Sequence, residues 1–353
     1  MIKVIRPGLL TTVQDEGRTE FLAFGMPRAG VMDRYAARMA NLLCGNPLGA
    51  AVLEMTLIGG SYRFSAAVRI AVCGAAMPLL LNGEAISAWT AVDVNPEDEL
   101  EVGAAASGCR AYLAVAGGIE VPLVMGSRST YYRAGIGGFA GRPLQIGDEL
   151  PIGTPSPLAA APIQLPAVWI PQYASQITVR VLPGPQAELF NESGWRTLLS
   201  TNYSISDEAD RMGYRLEGEK IEHLSGPDIV SDALTPGAIQ VPGSGQPIIM
   251  MTDCGTTGGY AKIATVIGPD LAMIGQAKPQ DCLTFVECSY EQAVEALREE
   301  MDRYRQVAEW VARPINRPGH SAGISHQVKD HTGRRLKLTI NGKFYEVEIE
   351  EVM

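Results

Sequence analysis

Apolar positions along the chain come in short runs, each broken after a few residues by glycine, proline or an acidic turn. In the first half "AAVRIAVCG" (66–74), "ELEVGAA" (99–105) and "CRAYLAVAGG" (109–118) are of this kind and predict strands. One segment there has helical spacing: in "DRYAARMANLLCGN" (33–46) Asp33 can N-cap, Ala36, Met39, Ala40 and Leu43 share a face, and Gly45 ends the run. This half is expected to be a compact barrel or sandwich, with that helix plugging or covering a barrel end. "PIGTPSPLAAAPIQLPAVWIPQ" (151–172) carries too many prolines for a helix or a central strand and predicts a linker.

Strand-like runs resume with "ITVRVLPGP" (177–185) and continue through "QPIIMM", "YAKIATVI" and "CLTFVEC". "SYEQAVEALREEMDRYRQVAEWVA" (289–312) then predicts one long helix that closes the second domain. Ser289 and Gln292 form a capping box, and Ala293, Leu297, Met301, Tyr304 and Ala308 form its apolar stripe. A polar stretch, "NRPGHSAGISHQVKDHTG" (316–333), predicts a flexible linker. Beyond it Leu336, Leu338 and Ile340 alternate, an Asn-Gly pair follows at 341–342, and Phe344, Val347 and Ile349 alternate again, which predicts a trailing β-hairpin. The expected fold is mainly β, with domains at 1–165 and 166–312 and a linker and hairpin at 313–353.

Composition agrees with many chain reversals: 38 glycines and 23 prolines in 353 residues, with only 19% charged. A net charge of −10 repels phosphate backbones, so nucleic acid is not an expected partner. No apolar run reaches the ~18 residues that cross a bilayer, and the first residues lack a signal-peptide core, so a soluble cytoplasmic protein is expected. Six scattered cysteines form no CxxC pair, and Cys254 beside Asp253 is weighed as a packed thiol. His320, His326 and His331 are too loosely spaced for more than opportunistic chelation, and no metal site is expected.

Polar residues concentrate beside glycines in "TTVQDEGR" (11–18), "SDEADRMGYRLEG" (206–218) and "TDCGTTGGYAKIATV" (252–266). Arg211 and Arg215, spaced four apart around Gly-Tyr, suit a carboxylate or phosphate; the alternative is surface pairing with Asp207, Asp210 or Glu217. Lys262 is either an edge residue or a pocket lysine whose burial would make it a usable base, with Asp253 to orient it. The expected site is a cleft between domains in which Lys262, Asp253 and Tyr260 are catalytic. Arg211, Arg215, Thr256 and Thr257 bind substrate there, with Gln14, Asp15 and Arg18 at its edge. No Ser-His-Asp set and no GxxxxGK[ST] loop occur, so ATP handling is assigned to a partner.

"PGLLTTVQDEGR", "AGVMDRYAARMANLLCGN", "LEMTLIGG", "AYLAVAGGIEVPLVMGSRST", "DRMGYRLEG" and "PGAIQVPGSGQPIIMMTDCGTTGGYAKIATVI" together resemble, in this order, the family of the 5-oxoprolinase C subunit. That family includes allophanate hydrolase subunit 2-like proteins, the antagonist of the sporulation kinase inhibitor and half of the carboxyltransferase domain of urea carboxylase. The resemblance covers about residues 1 to 290. It implies two cyclophilin-like β-barrel domains and two partners, one like the 5-oxoprolinase B subunit (kinase-inhibitor-like) and one like the lactam-hydrolysing A subunit. The implied reaction is ATP-dependent opening of 5-oxoproline to glutamate. Two alternatives stand beside it: a biotin-dependent carboxyltransferase acting on urea or another small-molecule amide, and a non-catalytic protein that binds a kinase inhibitor. No covalently bound cofactor is expected, and any biotin would arrive on a separate carrier. Gly255 stands where the family usually has glutamine, and the hairpin resembles the opening of a biotin carrier domain without its Met-Lys-Met site.

Overall fold

The structure, a computed structural model, describes residues 1–155 and 163–312, with the backbone alone of 334–340 and 343–349. The first half contributes β1 (Ile2–Arg6), β2 (Leu10–Gln14), α1 (Arg34–Leu43), β3 (Val52–Thr56), β4 (Ser61–Phe64), β5 (Val68–Ala76), β6 (Leu79–Leu81), β7 (Glu84–Ile86), β8 (Ala91–Val94), β9 (Glu99–Val102), β10 (Ser107–Val115) and β11 (Glu149–Leu150). They form two sheets, one ordered β11-β1-β4-β9-β6-β7 and the other β2-β3-β10-β5-β8. Ile2, Val4, Tyr62, Phe64 and Leu100 of the first pack against Leu53, Met55, Val72, Leu113 and Val115 of the second in one core. Of the barrel or sandwich expected here, the chain forms the second: two sheets packed face to face.

Strand periodicity decides what the second sheet shows on its other face. With Leu53, Met55, Ala111 and Leu113 in the core, their neighbours Val52, Glu54, Arg110 and Tyr112 must point away from it. Val52 and Tyr112 pack on α1, so that helix covers a sheet face and does not plug a barrel end. Its cap is as expected: the Asp33 carboxylate accepts the Ala36 N–H at 2.9 Å.

The second half contributes β12 (Gln176–Pro183), α2 (Glu192–Ser200), β13 (Tyr203–Ile205), β14 (Gly213–Glu217), β15 (Asp228–Ala233), β16 (Ala238–Gln240), β17 (Ile248–Met250), β18 (Thr257–Tyr260), β19 (Lys262–Val266), α3 (Leu271–Gly275), β20 (Cys282–Glu287) and α4 (Tyr290–Ala312). Here a closed barrel does form, in the order β12-β19-β16-β17-β14-β13-β20. Parallel pairing of β12 with β20, from Gln176 opposite Cys282 to Val181 opposite Glu287, closes it. β15 and β18 make a separate two-stranded ribbon.

The Ser289–Gln292 capping box is present, with reciprocal bonds of 2.8 and 3.2 Å. The buried stripe of α4 is Ala296, Tyr304, Val307 and Val311, whereas Leu297 and Met301 are exposed. The stripe is displaced around the helix from the expected one because α4 does not simply close the second half. Tyr304, Val307 and Val311 pack into the cluster built around α1 of the first half, and the Tyr35 and Tyr304 rings lie 5.8 Å apart. The described part of the proline-rich segment is likewise no free linker, since Ile163 and Leu165 are buried in that same cluster.

Chain contacts divide the protein into two units, Met1–Pro314 and Ile315–Met353. In the second, Arg334–Ile340 pairs antiparallel with Lys343–Ile349, Arg334 opposite Ile349. The Asn-Gly turn, the polar stretch and its histidines lie outside the described residues. Deletion of residues 319–353 is expected to leave the melting temperature of the remainder nearly unchanged by calorimetry. A drop beyond about 2 °C, roughly what 1 kcal/mol produces in a chain of this size, would show that the hairpin supports the fold.

Candidate functional site between the two halves

The polar residues singled out in the sequence separate into three places. The first is a buried seam. Arg211, only 3% exposed, sends Nε and Nη2 to the two carboxylate oxygens of Asp253 at 3.0 and 2.8 Å, Nη1 to Glu54, and Nη2 also to the Gly30 carbonyl at 2.6 Å. Glu54 is one of the outward residues of β3, and its other oxygen accepts the Tyr112 hydroxyl at 2.9 Å and the Met32 N–H at 2.8 Å. Burial works against the Arg211 charge, but Asp253 and Glu54 outweigh it and hold the guanidinium above its ordinary range. Beside it Arg110 donates to the Tyr214 hydroxyl at 2.7 Å and the Gly275 carbonyl at 2.6 Å, and Gln276 donates to Asp33 at 2.8 Å. These bonds join the two halves. Arg211 is thus neither the expected substrate ligand nor a partner of Asp207, Asp210 or Glu217.

The second place is the ribbon. Lys262 alternates with the core residues Ala261 and Ile263, so its side chain leaves the barrel outward, yet it is buried. Its ammonium donates to Asp232 of β15 at 2.7 Å and to the Ala233 carbonyl at 3.1 Å. That hydrogen bond from Lys262 pulls the Asp232 carboxyl down to about 2. Asp253 therefore does not orient Lys262, because it is committed to Arg211. Thr256 and Thr257 belong to the same ribbon: the Thr256 carbonyl accepts the Leu234 N–H at 2.9 Å, and Thr257 pairs with Ala233.

The third place holds open space. A groove of about 540 Å³ is lined by Tyr260, Arg215 and Gln240 among others. A second, of about 420 Å³, lies between Arg133 of the first half and Asp210, Met212, Met250, Cys254 and Gly255 of the second. Arg215, Glu208 and Ile248 line both, so the two grooves share a wall. Arg215 pairs with Glu208 at 3.0 Å, and Arg133 pairs with Asp210 across the halves. Burial, followed by the nearby Asp253 charge, pushes the Cys254 thiol up to about 12, so it is inert at neutral pH. Arg133 went unnoticed in the sequence, although it lies among closely spaced glycines at 126, 135, 137 and 138.

Gln14, Asp15 and Arg18 do not line these grooves. They secure the segment that carries Arg133 into position. Asp15 accepts the Ser127 hydroxyl and the Arg128 N–H, each at 2.6 Å, and Gln14 donates to the Thr130 carbonyl at 3.0 Å. Arg18 donates to the Ser129 carbonyl at 2.6 Å, and its Nη1 is buried without a partner. A Cβ at Gly137 would stand 2.2 Å from the Ser129 carbonyl oxygen and 2.5 Å from Arg18 Nη2, so only glycine fits there. The expected single cleft is therefore three neighbourhoods: a charged seam, a lysine-held ribbon, and two joined grooves at which the halves meet.

The profile described as carboxyltransferase domain, subdomain A and B, matches residues 24–287. This chain belongs to the carboxyltransferase-domain family. It is 38% identical over 310 residues to the 5-oxoprolinase C subunit of Escherichia coli strain K12, a match covering 88% of this chain and 98% of that protein. Urea amidolyase of Lachancea kluyveri is 34% identical over 322 residues, covering 85% of this chain and 17% of that protein. Among solved structures, the urea carboxylase of Kluyveromyces lactis superposes with a TM-score of 0.81 at 30% identity, covering 89% of this chain and 30% of that one. In this carboxyltransferase-domain chain the matched segment spans Arg133, Asp210, Arg215 and Tyr260, and so includes the groove residues of both halves.

Proposed function

We propose that the protein is the C subunit of a heteromeric ATP-dependent 5-oxoprolinase, and that it holds the substrate carboxylate in the joined grooves. The observation that carries this reading is the extent of the match. The chain aligns with 98% of the E. coli C subunit but with 17% of a urea amidolyase. Its likeness to the C subunit thus runs through nearly all of that protein, at 38% identity against 34% for the amidolyase. A five-membered lactam is resonance-stabilised and its carbonyl is a poor electrophile, so opening it requires activation, which O-phosphorylation at a partner's nucleotide site would supply. This chain carries no phosphate-loop motif of its own.

Arg215 and Arg133 supply the planar forks that suit a carboxylate. Each is held in a solvent-exposed ion pair, which is worth ~0–1 kcal/mol, so an incoming carboxylate displaces Glu208 or Asp210 at little cost. Tyr260, 41% exposed, offers its hydroxyl on the adjoining wall. Lys262, Thr256 and Thr257 act indirectly in this reading, by fixing the ribbon that presents Tyr260.

The second reading is a biotin-dependent carboxyltransferase that moves CO₂ to an amide nitrogen, with biotin delivered on a separate carrier. The carboxyltransferase profile and the likeness to a urea carboxylase favour it. Co-expression with partners like the B and A subunits of 5-oxoprolinase separates the two. The isolated chain should be silent, and the assembled complex should consume 5-oxoproline with ATP whether or not avidin is present. Avidin-sensitive turnover would favour the carboxyltransferase. In the active complex Arg215→Leu should cost roughly thirtyfold or more in kcat/KM, as loss of a charged contact to substrate does, with assembly intact. Unchanged kinetics would remove Arg215 from the site.

A further inference from the structure

We propose that Gly255 sets the size limit of the Arg133 groove, and that the groove admits a carboxylated cyclic amide bearing an apolar substituent on its ring. This rests on the lactam reading above and narrows its substrate class. Glycines in this fold have visible causes at many positions. At Gly137 the backbone has φ +69° and a Cβ would strike a carbonyl, and at Gly213, on the same groove wall, a Cβ would lie 3.1 Å from both Ile248 and Met250. Gly255 has neither cause. Its φ lies outside the left-handed region, and a Cβ there would have one neighbour within 4 Å, the Thr257 carbonyl oxygen at an ordinary 3.5 Å. Neither the backbone nor the packing demands glycine, and the residue borders open space. What the missing side chain leaves is room.

That room has a definite chemistry. Met212, Ile248 and Met250 make an apolar floor, and methionine side chains adapt to ligands of different outline. Arg133 and Arg215 supply the cationic end. At about 420 Å³ the groove falls within the ~300–1,000 Å³ of sites for drug-sized ligands, which is more than a bare five-membered lactam fills.

The test compares 5-oxoproline with its 4-benzyl derivative. Binding to the isolated chain is read by ligand-observed NMR, and turnover is read in the assembled complex. Gly255→Leu should raise the preference for 5-oxoproline over the benzyl compound at least tenfold, whatever it does to 5-oxoproline itself. Gly255→Ala, whose methyl has space, should show the same discrimination at about threefold and stands in if the leucine variant does not fold. Equal effects on the two compounds, no effect on either, or failure of the wild-type chain to bind the benzyl derivative would overturn the proposal. Should the complex cleave neither compound while the isolated chain still discriminates at position 255, the lactam reading falls and the size limit stands.

Discussion

Arg211→Met is expected to destabilise the protein by about 3–5 kcal/mol, the range for removing one partner from a buried ion pair. The side chains of Glu54 and Asp253 are each only 1% exposed, and Arg211 is the cation between them. Burial already raises the Asp253 carboxyl above its ordinary range, and Arg211 is the chief influence pulling it back. Without the guanidinium Asp253 loses its paired cation out of water, Glu54 is left with Arg110 at 3.9 Å, and the Gly30 carbonyl loses its donor. Urea denaturation should show the loss as a lower midpoint. Adding Asp253→Asn should recover part of it, because the carboxylate left without its cation is then neutral. A single-variant loss below about 1 kcal/mol would mean that the seam is not closed as described. This result would also separate Arg211 from Arg215, whose replacement should disturb turnover and leave the midpoint nearly unmoved.

A pH dependence of comparable size is expected from Asp33. The carboxyl that caps α1 is fully buried, and desolvation pushes it up to about 6 from the ordinary 3.8, against the opposing bonds from Ala36, Gln276 and Tyr173. The unfolded chain ionises this group near pH 4, whereas the folded protein keeps it protonated until about pH 6. Its contribution is thus fully favourable below pH 4 and is lost as pH rises through 6, for a total of about 3 kcal/mol at ~1.4 kcal/mol per pK unit. Asp232, held near 2 by Lys262, acts in the opposite sense but only below about pH 4, so the two windows do not overlap. Asp33→Asn retains a capping oxygen and removes the titration. The wild-type denaturation midpoint should fall relative to that of the variant between pH 4.5 and 7, and parallel profiles would refute the assignment.

These two residues mark the limit of what could be read from the chain. Asp33 as a cap and Ser289 with Gln292 as a capping box were legible because their partners lie three residues away. The α4 stripe was not, since the face a helix buries depends on its neighbour, and that neighbour is α1, some 250 residues earlier. Arg211 was rightly marked as unusual, but its partners Asp253 and Glu54 lie 42 and 157 positions away, and no spacing rule connects them. Gln14, Asp15 and Arg18 form a polar cluster in the sequence and in the fold, yet their partners are near residues 124–130. Chemical type announced that these residues matter, and only the fold determines whether each touches a ligand or supports one that does.

The seam between the halves also sets a timetable for synthesis. Glu54, Arg110 and Tyr112 emerge early, but Arg211, Gln276 and α4 follow roughly 100 to 200 residues later. At ~5–20 residues per second, the interval from Tyr112 to Gln276 lasts roughly 10–30 s. Throughout it the nascent first half presents a sheet face on which Glu54 has Arg110 at 3.9 Å but still lacks Arg211. The barrel cannot shorten the wait, because its closing strand is β20 and its opening strand is β12. An early stop between them would release a chain in which the face carrying Glu54 and Arg110 is still open to any other protein in the cell.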